Sequence, residues 1–392
     1  MDEQLSLKDK VRIRMKSQHE LTAGKILGIV IVLLLALSIT IGLSYSQLPQ
    51  DLRVEEKVLL EDPLTAEAVA SSTLPTELQI NFYGGLSMDS GLRRYLNDTD
   101  FKRYFSQLMP LLSTADLNIV NLDSPLDLSQ RSPEAFFTTD LEALRSLNFQ
   151  LFPLANSNFC ADKGAAADLQ LGELNNLPID FIGFGESTNA AARAKRYPFG
   201  ESGLSIFSTS AFGRNQRASH FESGMSIATD IQVFDRVTRA KINGDFVVVM
   251  LHWGNLHNSN IGSYQRELAQ RYIDAGADLI IGASPGPAAG IEAYKQSLIC
   301  YNLGSLQQSA GDGLIQPGFA LELQLSELEE PSLHFKLLTQ NLGLPTFTES
   351  ERRLDIIKAE VLEQLENFST AQADDGSFTI KYMRNEGEIK HE

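Results

Sequence analysis

Between Ile26 and Leu43 the chain reads ILGIVIVLLLALSITIGL, eighteen residues without a charge. No other stretch limits its architecture so strongly. Continued to Tyr45, the run approaches the roughly 20 apolar residues that a membrane-crossing helix needs. The 25 residues before it hold six bases (Lys8, Lys10, Arg12, Arg14, Lys16, Lys25) against four acids (Asp2, Glu3, Asp9, Glu20). The residues after it turn acidic at Asp51, Glu55, Glu56, Glu61 and Asp62. The positive-inside rule then gives a single-pass protein of the cell membrane, with residues 1–25 cytoplasmic, an anchor at 26–45 and the bulk extracytoplasmic. A cleaved signal peptide is the alternative, but its apolar core normally runs only about 7–15 residues.

The chain has 392 residues, 43% of them hydrophobic, enough for one large core or two small ones. Its net charge is −17. Setting aside the six bases and four acids before the anchor leaves 27 and 46, a net of −19 for the remainder. Such a surface excludes nucleic acid as a partner, since phosphate binding needs clustered Lys and Arg. Two cysteines, Cys160 and Cys300, fall in the exported part. They can form a disulfide there or remain two buried thiols; their spacing matches no metal motif.

Residues 46–76, rich in Glu, Ala, Ser and Thr, read as a stalk. A strand–helix alternation follows. LQINFYG (78–84), LNIV (117–120), QLFPLA (150–155), IDFIGFG (179–185), GLSIFSTSA (203–211) and FVVVML (246–251) read as strands. Helices are expected at 101–113, 141–147, 165–176 and 229–242. Ser263 can cap a helix whose Tyr264, Leu268, Tyr272 and Ala275 share one face, and Gly276 ends it. Strand 278–282 comes next, then a meander: SLICYNL (297–303), GFALELQL (318–325) and SLHFKLL (332–338). The pattern predicts an α/β sandwich with mixed sheets over 77–345. TESE (348–351) reads as a capping box. It opens an amphipathic helix over 346–368, with Leu354, Ile357, Val361, Leu365 and Phe368 on its apolar stripe. The polar residues 369–392 are expected to be a disordered tail.

Polar residues collect at the strand ends: NLDSPL (121–126), LANSN (154–158), LHWG (251–254) and YNLGSL (301–306). With INFYGG, IDFIGFGESTNAAARA and YQRELAQRYIDAGADLIIGASPGPAAGIEAY, taken in order, they resemble the capsule-synthesis family of CapA type. That family includes the poly-γ-glutamate biosynthesis proteins and is related to calcineurin-like metallophosphoesterases. The resemblance runs from about residue 78 to 368 and implies a four-layer metallophosphoesterase-like sandwich.

Residue by residue, it also implies a damaged metal site. Where the family's first strand ends in Gly-Asp, this chain has Gly84-Gly85. The family's Asn-Leu-Glu-Ser becomes Asn121-Leu122-Asp123-Ser124, which keeps a carboxylate at Asp123. Its Asn-Asn-His becomes Asn156-Ser157-Asn158, without the imidazole; the Asp that follows corresponds to Asp162, shifted by one residue. LHWG is intact at His252. Gly-His-His-Pro-His becomes Gly282-Ala283-Ser284-Pro285-Gly286, and Ser305 stands where the final motif has Asn. The positions that have lost their ligand are therefore Gly85, Asn158, Ala283, Ser284, Gly286 and Ser305.

A two-ion hydrolase must clamp its metals about 3.5–4 Å apart, and neutral amides ligate transition metals poorly. Of the six histidines, only His252 holds a motif position. Asp123, Asn156 and His252 could hold one divalent ion (Mn, Fe or Zn) loosely; no other cofactor is expected. Each also has a plainer reading: Asp123 as a turn cap, Asn156 as a loop brace, His252 as a core histidine bonded to a carbonyl. Trp253 can pack or can stack on a sugar. Ser284 has no visible His to act as its base.

Three functions follow. The first is a catalytically degenerate, membrane-anchored binding or scaffolding subunit for synthesis or export of a capsule or poly-γ-glutamate-type polymer. It would work with other polymer-synthesis or export subunits and with the extracellular polymer itself. The second is a weakly metal-dependent hydrolase or transferase using Asp123, Asn156 and His252 on a phosphoester or polymer amide. The third is an interaction module centred on the stalk and the 349–368 stripe. The acidic domain repels a polyanion, so polyglutamate would need a basic patch, for which RAKR (193–196) is the candidate; a basic partner protein fits the charge more simply.

Overall fold

The computed structural model describes residues 74–160, 164–253, 260–283, 286, 288–307, 318–341, 344–347, 368–372 and 377–383. The expected anchor at 26–45, the stalk up to residue 73 and the segment 348–367 lie outside them. Among the described residues no helix is long and apolar enough to cross a membrane.

The alternation read from the sequence is present. Glu77–Leu86 (β1) leads to helices Ser90–Asp98 (α1), Phe101–Tyr104 (α2) and Met109–Thr114 (α3). Leu117–Leu122 (β2), Thr138–Ser146 (α4), Phe149–Pro153 (β3), Ala165–Asn176 (α5) and Asp180–Ile182 (β4) follow. Gly183, at φ +85°, turns the chain out of that strand into the short Phe184–Gly185 (β5). Then come Thr188–Ala191 (α6), Lys195–Phe199 (β6), Ser202–Ser210 (β7), Gly224–Met225 (β8), Ile231–Ile242 (α7), Phe246–His252 (β9), Ser263–Asp274 (α8) and Leu279–Gly282 (β10). The meander is Ala289–Tyr294 (β11), Ser297–Asn302 (β12), Gly318–Ser326 (β13), Ser332–Asn341 (β14), Leu344–Phe347 (β15), Phe368–Gln372 (β16) and Phe378–Tyr382 (β17).

Two large mixed sheets result. The first is ordered β16-β17-β14-β13-β1-β2-β3-β4, with β15 on β14; the second is ordered β11-β12-β10-β9-β7-β6. Strands β1 to β4 pair in parallel, as do β7, β9, β10 and β12. A parallel strand needs both faces covered, and β9 illustrates how. Val248 and Met250 face a core shared with Ile80, Phe82 and Ile119 of the first sheet. Val247, Val249 and Leu251 face the opposite way, onto Val233 and Val237 of α7 and Leu268 and Tyr272 of α8. A third apolar layer joins the outer face of the first sheet to α1–α5. Three cores between helices, sheet, sheet and helices make four layers.

Several expectations need correction. The helix expected over 101–113 is two short ones, α2 and α3, with Pro110 in the first turn of α3, where its missing N–H costs nothing. Gly262, not Ser263, caps α8. Tyr264 is half-exposed, and the buried face is Leu268, Ala269, Tyr272 and Ile273; Gly276 does end the helix at φ +117°. Residues 346–347 and 368 belong to strands β15 and β16 rather than to a helix. The tail expected to be disordered from 369 instead supplies most of β16 and all of β17. Phe378 and Ile380 alternate inward, and the Tyr382 hydroxyl donates to the Asp278 carbonyl at 2.8 Å. Five-residue strands in a polar context leave too short a period-2 signal to outweigh composition. RAKR runs into edge strand β6, where Lys195 pairs with Asp180 and Arg196 with buried Asp245 at 2.9 Å each, so two of its cations are already matched. Cys160 and Cys300 are separate buried thiols.

Candidate functional site

The parallel strands of both sheets bring their carboxyl ends to one junction, the usual place for a site in such folds. Two backbone hydrogen bonds join the sheets there. Gly85 N–H donates to Gly304 O at 3.0 Å, and Leu306 N–H donates to Gly85 O at 2.7 Å. A Cβ on Gly84 would collide with the Gly304 carbonyl, so the approach of β1 to the segment after β12 requires glycine.

Asp123 follows β2 at the centre of this junction. Its Oδ1 accepts from Asn121 Nδ2 at 2.6 Å and from Asn156 Nδ2 at 2.5 Å. Its Oδ2 is buried without a partner. A Cβ on Gly85 would collide with that Oδ2. The carboxylate therefore fills the space that a side chain on Gly85 would need. Burial pushes the Asp123 carboxyl up to about 7, against the downward pull of the Asn156 and Asn121 hydrogen bonds.

Asn156, after β3, is fully buried. Its Nδ2 also donates to Leu122 O at 2.8 Å, and its Oδ1 accepts from Asn158 N–H at 2.8 Å. It ties together the ends of β2 and β3. His252 closes β9. Its Nδ1 lies 2.8 Å from the Ala283 carbonyl, which can only accept, so Nδ1 carries the proton and Nε2 the lone pair. Burial holds the ring down to about 4, with the Ala283 carbonyl pulling weakly the other way. Nδ1 is 4.0 Å from Asp123 Oδ1. With a neutral ring this is proximity, not an ion pair.

Of the positions where the family resemblance implies a missing ligand, Asn158 is exposed and Ala283 is buried behind its carbonyl's bond to His252. Ser305 Oγ meets the Gly286 backbone only at 3.4 Å. Ser284 and Asp162 lie outside the described residues. Trp253 packs: its Nε1 donates to Tyr301 O at 2.9 Å and its ring stacks on Tyr301 at 5.8 Å. Gly282 lies beneath that bond, where a Cβ would strike Tyr301 O.

Asp123, Asn156 and His252 are thus brought together. Neither Ala283 nor Gly286 offers a side-chain donor. Asp123 is not a turn cap, since its side-chain bonds run to two amides. The sequence reading missed Asn121 as a brace. It also missed Phe212, whose ring stands edge-on to His252 at 6.3 Å; the only signal was an aromatic followed by Gly213 at a strand end.

This donor set does not fit a bridged pair of ions. Among the described residues, one carboxylate, one imidazole and an amide oxygen already bonded to a backbone N–H are too few to hold two cations. Asp123, Asn156 and His252 are the described residues that would hold a single ion.

The family model described as "Bacterial capsule synthesis protein PGA_cap" matches residues 79–308. The "PGA biosynthesis protein CapA" of Bacillus subtilis is 27% identical over 239 residues, covering 58% of this chain and 62% of that protein. The "Capsule biosynthesis protein CapA" of Bacillus anthracis is 25% identical over 245 residues, covering 58% and 59%. The chain therefore spans about three fifths of the length of these curated relatives.

Proposed function

We propose a function from the premise that this chain belongs to the bacterial capsule synthesis protein family, PGA_cap. In our reading it is a membrane-anchored binding or scaffolding subunit in synthesis or export of a capsule or poly-γ-glutamate-type polymer. The anchor is the uncharged run at 26–45, and the four-layer domain is an extracytoplasmic metallophosphoesterase-like sandwich. One observation carries the loss of chemistry: the Asp123 carboxylate occupies the Gly85 cradle, next to an imidazole fixed on a carbonyl. A packed carboxylate is a structural group, so the retained junction serves recognition.

The unpartnered Asp123 Oδ2 favours one alternative, a weakly metal-dependent hydrolase or transferase. There Asp123, Asn156 and His252 would hold a single Mn, Fe or Zn ion, which supplies Lewis acidity to a phosphoester or amide oxygen when bound. Neutral His252 Nε2 is suited to ligation and, with its low proton affinity, poorly suited to act as a general base at neutral pH.

The test is complementation. A strain lacking the protein is supplied with the full chain carrying His252→Ala or Asp123→Asn, and surface polymer is quantified beside the amount of folded protein. The scaffolding reading expects polymer close to the wild-type level. Loss of polymer with normal protein abundance would favour the alternative.

A further inference from the structure

We propose that Gly85 is a positioning residue for Asp123. The ends of β1 and β2 share one side-chain seat at the junction of the sheets, and the bare Cα of Gly85 is what lets the Asp123 carboxylate occupy it. This pairing is a property of the junction itself and goes beyond the reading above, since it holds whether the site takes a polymer or a single ion.

The two positions are held against each other from both sides. Gly85 faces Asn121 in the parallel pairing of β1 with β2. Its main chain is tied to the second sheet: its N–H donates to Gly304 O, its carbonyl accepts from Leu306 N–H, and it forms a parallel bridge with Ser305. Asp123 is held as well. Its N–H donates to Leu86 O at 2.9 Å, and Asn121 and Asn156 both donate to its Oδ1. Between these two anchors, the three atoms that a Cβ on Gly85 would meet first all belong to Asp123: Oδ2 in collision, Cγ at 3.0 Å and Cβ at 3.8 Å. The last of these is ordinary contact, so the obstacle is the carboxylate. Backbone conformation makes no demand of its own here, because Gly85 is not among the glycines with positive φ.

Gly84 supplies the contrast. A Cβ there would strike the Gly304 carbonyl oxygen, with its carbon at 2.7 Å. That obstacle is main chain, and no truncated side chain relieves it. One glycine is required by the backbone of the facing sheet, and the next by a side chain of the neighbouring strand. The buried Asp123 Oδ2 has no hydrogen-bond partner, so it is kept in place by the room Gly85 leaves. A side chain at 85 and a carboxylate at 123 therefore exclude each other, and no single substitution at Gly85 adds a donor to the one that Asp123 offers.

The test is a pair of double-mutant cycles on the full chain in detergent micelles, read by melting temperature and urea midpoint. Gly85→Ala and Gly84→Ala are each made in the wild-type and in the Asp123→Ala background. We expect Gly85→Ala to lower the melting temperature by about 5 °C or more in the wild type and by less than about 2 °C beside Asp123→Ala. Gly84→Ala should cost the same in both. Should Gly85→Ala yield no folded protein, its recovery by Asp123→Ala is the same result. Asp123→Ser, which keeps a hydroxyl for the two amides, serves as the second background if Asp123→Ala alone does not fold. Equal losses from Gly85→Ala in both backgrounds, or no loss in the wild type, overturn the proposal. Rescue of Gly84→Ala to the same extent also overturns it, since the relief would then be general. These readouts are separate from polymer yield, so either idea can fail alone.

Discussion

At the junction the first sheet ends in hydrogen-bonded polar side chains, whereas the second ends in packed aromatics and backbone. Asn121, Asp123 and Asn156 form one network across the ends of β2 and β3. Across from them, Trp253 and Tyr301 stack over Gly282, and the carbonyl of Ala283 takes up the one polar ring, His252. Among the described residues, Asp123 Oδ1 and His252 Nδ1 are bonded to the protein, and Asp123 Oδ2 is buried without a partner.

The comparison is sharpest at Asp123. Its carboxyl holds a proton more tightly folded, at about 7, than at its ordinary 3.8. Between those values the native state binds more protons than the unfolded one, so this group lowers stability as pH rises. At about 1.4 kcal/mol per unit, the ceiling is about 4 kcal/mol. His252 runs the other way: held at about 4 against 6.5, it raises stability as pH rises through that window. In the wild type the two slopes oppose each other from about pH 4 to 6.5. Asp123→Asn should expose the rising His252 slope alone and be more stable than wild type at pH 8, by up to that ceiling. Urea unfolding at pH 4.5, 6 and 8 reads both. A variant less stable at pH 8 would mean that the charged carboxylate is needed, as it is beside a cation.

On the second sheet, Gly282→Ala places a Cβ against Tyr301 O and Trp253 Nε1. Overpacking of this kind should cost about 3 kcal/mol, seen as a lower urea midpoint and a shifted Trp253 emission. An unchanged midpoint would show that this end is looser than described. Asn156→Ala removes the donor to Asp123 and to Leu122 O, and should cost about 2 kcal/mol. It should also move the pH dependence upward, since Asp123 loses a bond that lowers its proton affinity. Phe212→Ala should change stability least, by less than about 1 kcal/mol, because the ring is half exposed. A large loss would make Phe212 a core residue.

The architecture was largely legible because parallel strands covered on both faces are written as continuous apolar runs, FVVVML above all. The antiparallel periphery was harder. β16 and β17 announce themselves by Phe368, Phe378 and Ile380 alone, and β6 by a basic string whose charges are neutralised by Asp180 and Asp245 from distant segments. Such pairing depends on tertiary contact, which no local pattern carries. At the site, motif order located Asp123, Asn156 and His252. It did not reveal that Asp123 lies over Gly85, because that is a relation between two strands 38 positions apart. Gly85 read as a missing ligand; in space it is a cradle.

The central claim is our proposal that the described residues at this junction are too few to clamp two metal ions. The most direct measurement is the metal content of the full-length chain in detergent, after incubation with Mn, Fe or Zn and dialysis against metal-free buffer. We predict at most one ion per chain, lost on dialysis and weakened by His252→Ala. Two retained ions per chain, abolished by Asp123→Asn or His252→Ala with the fold intact, would contradict it.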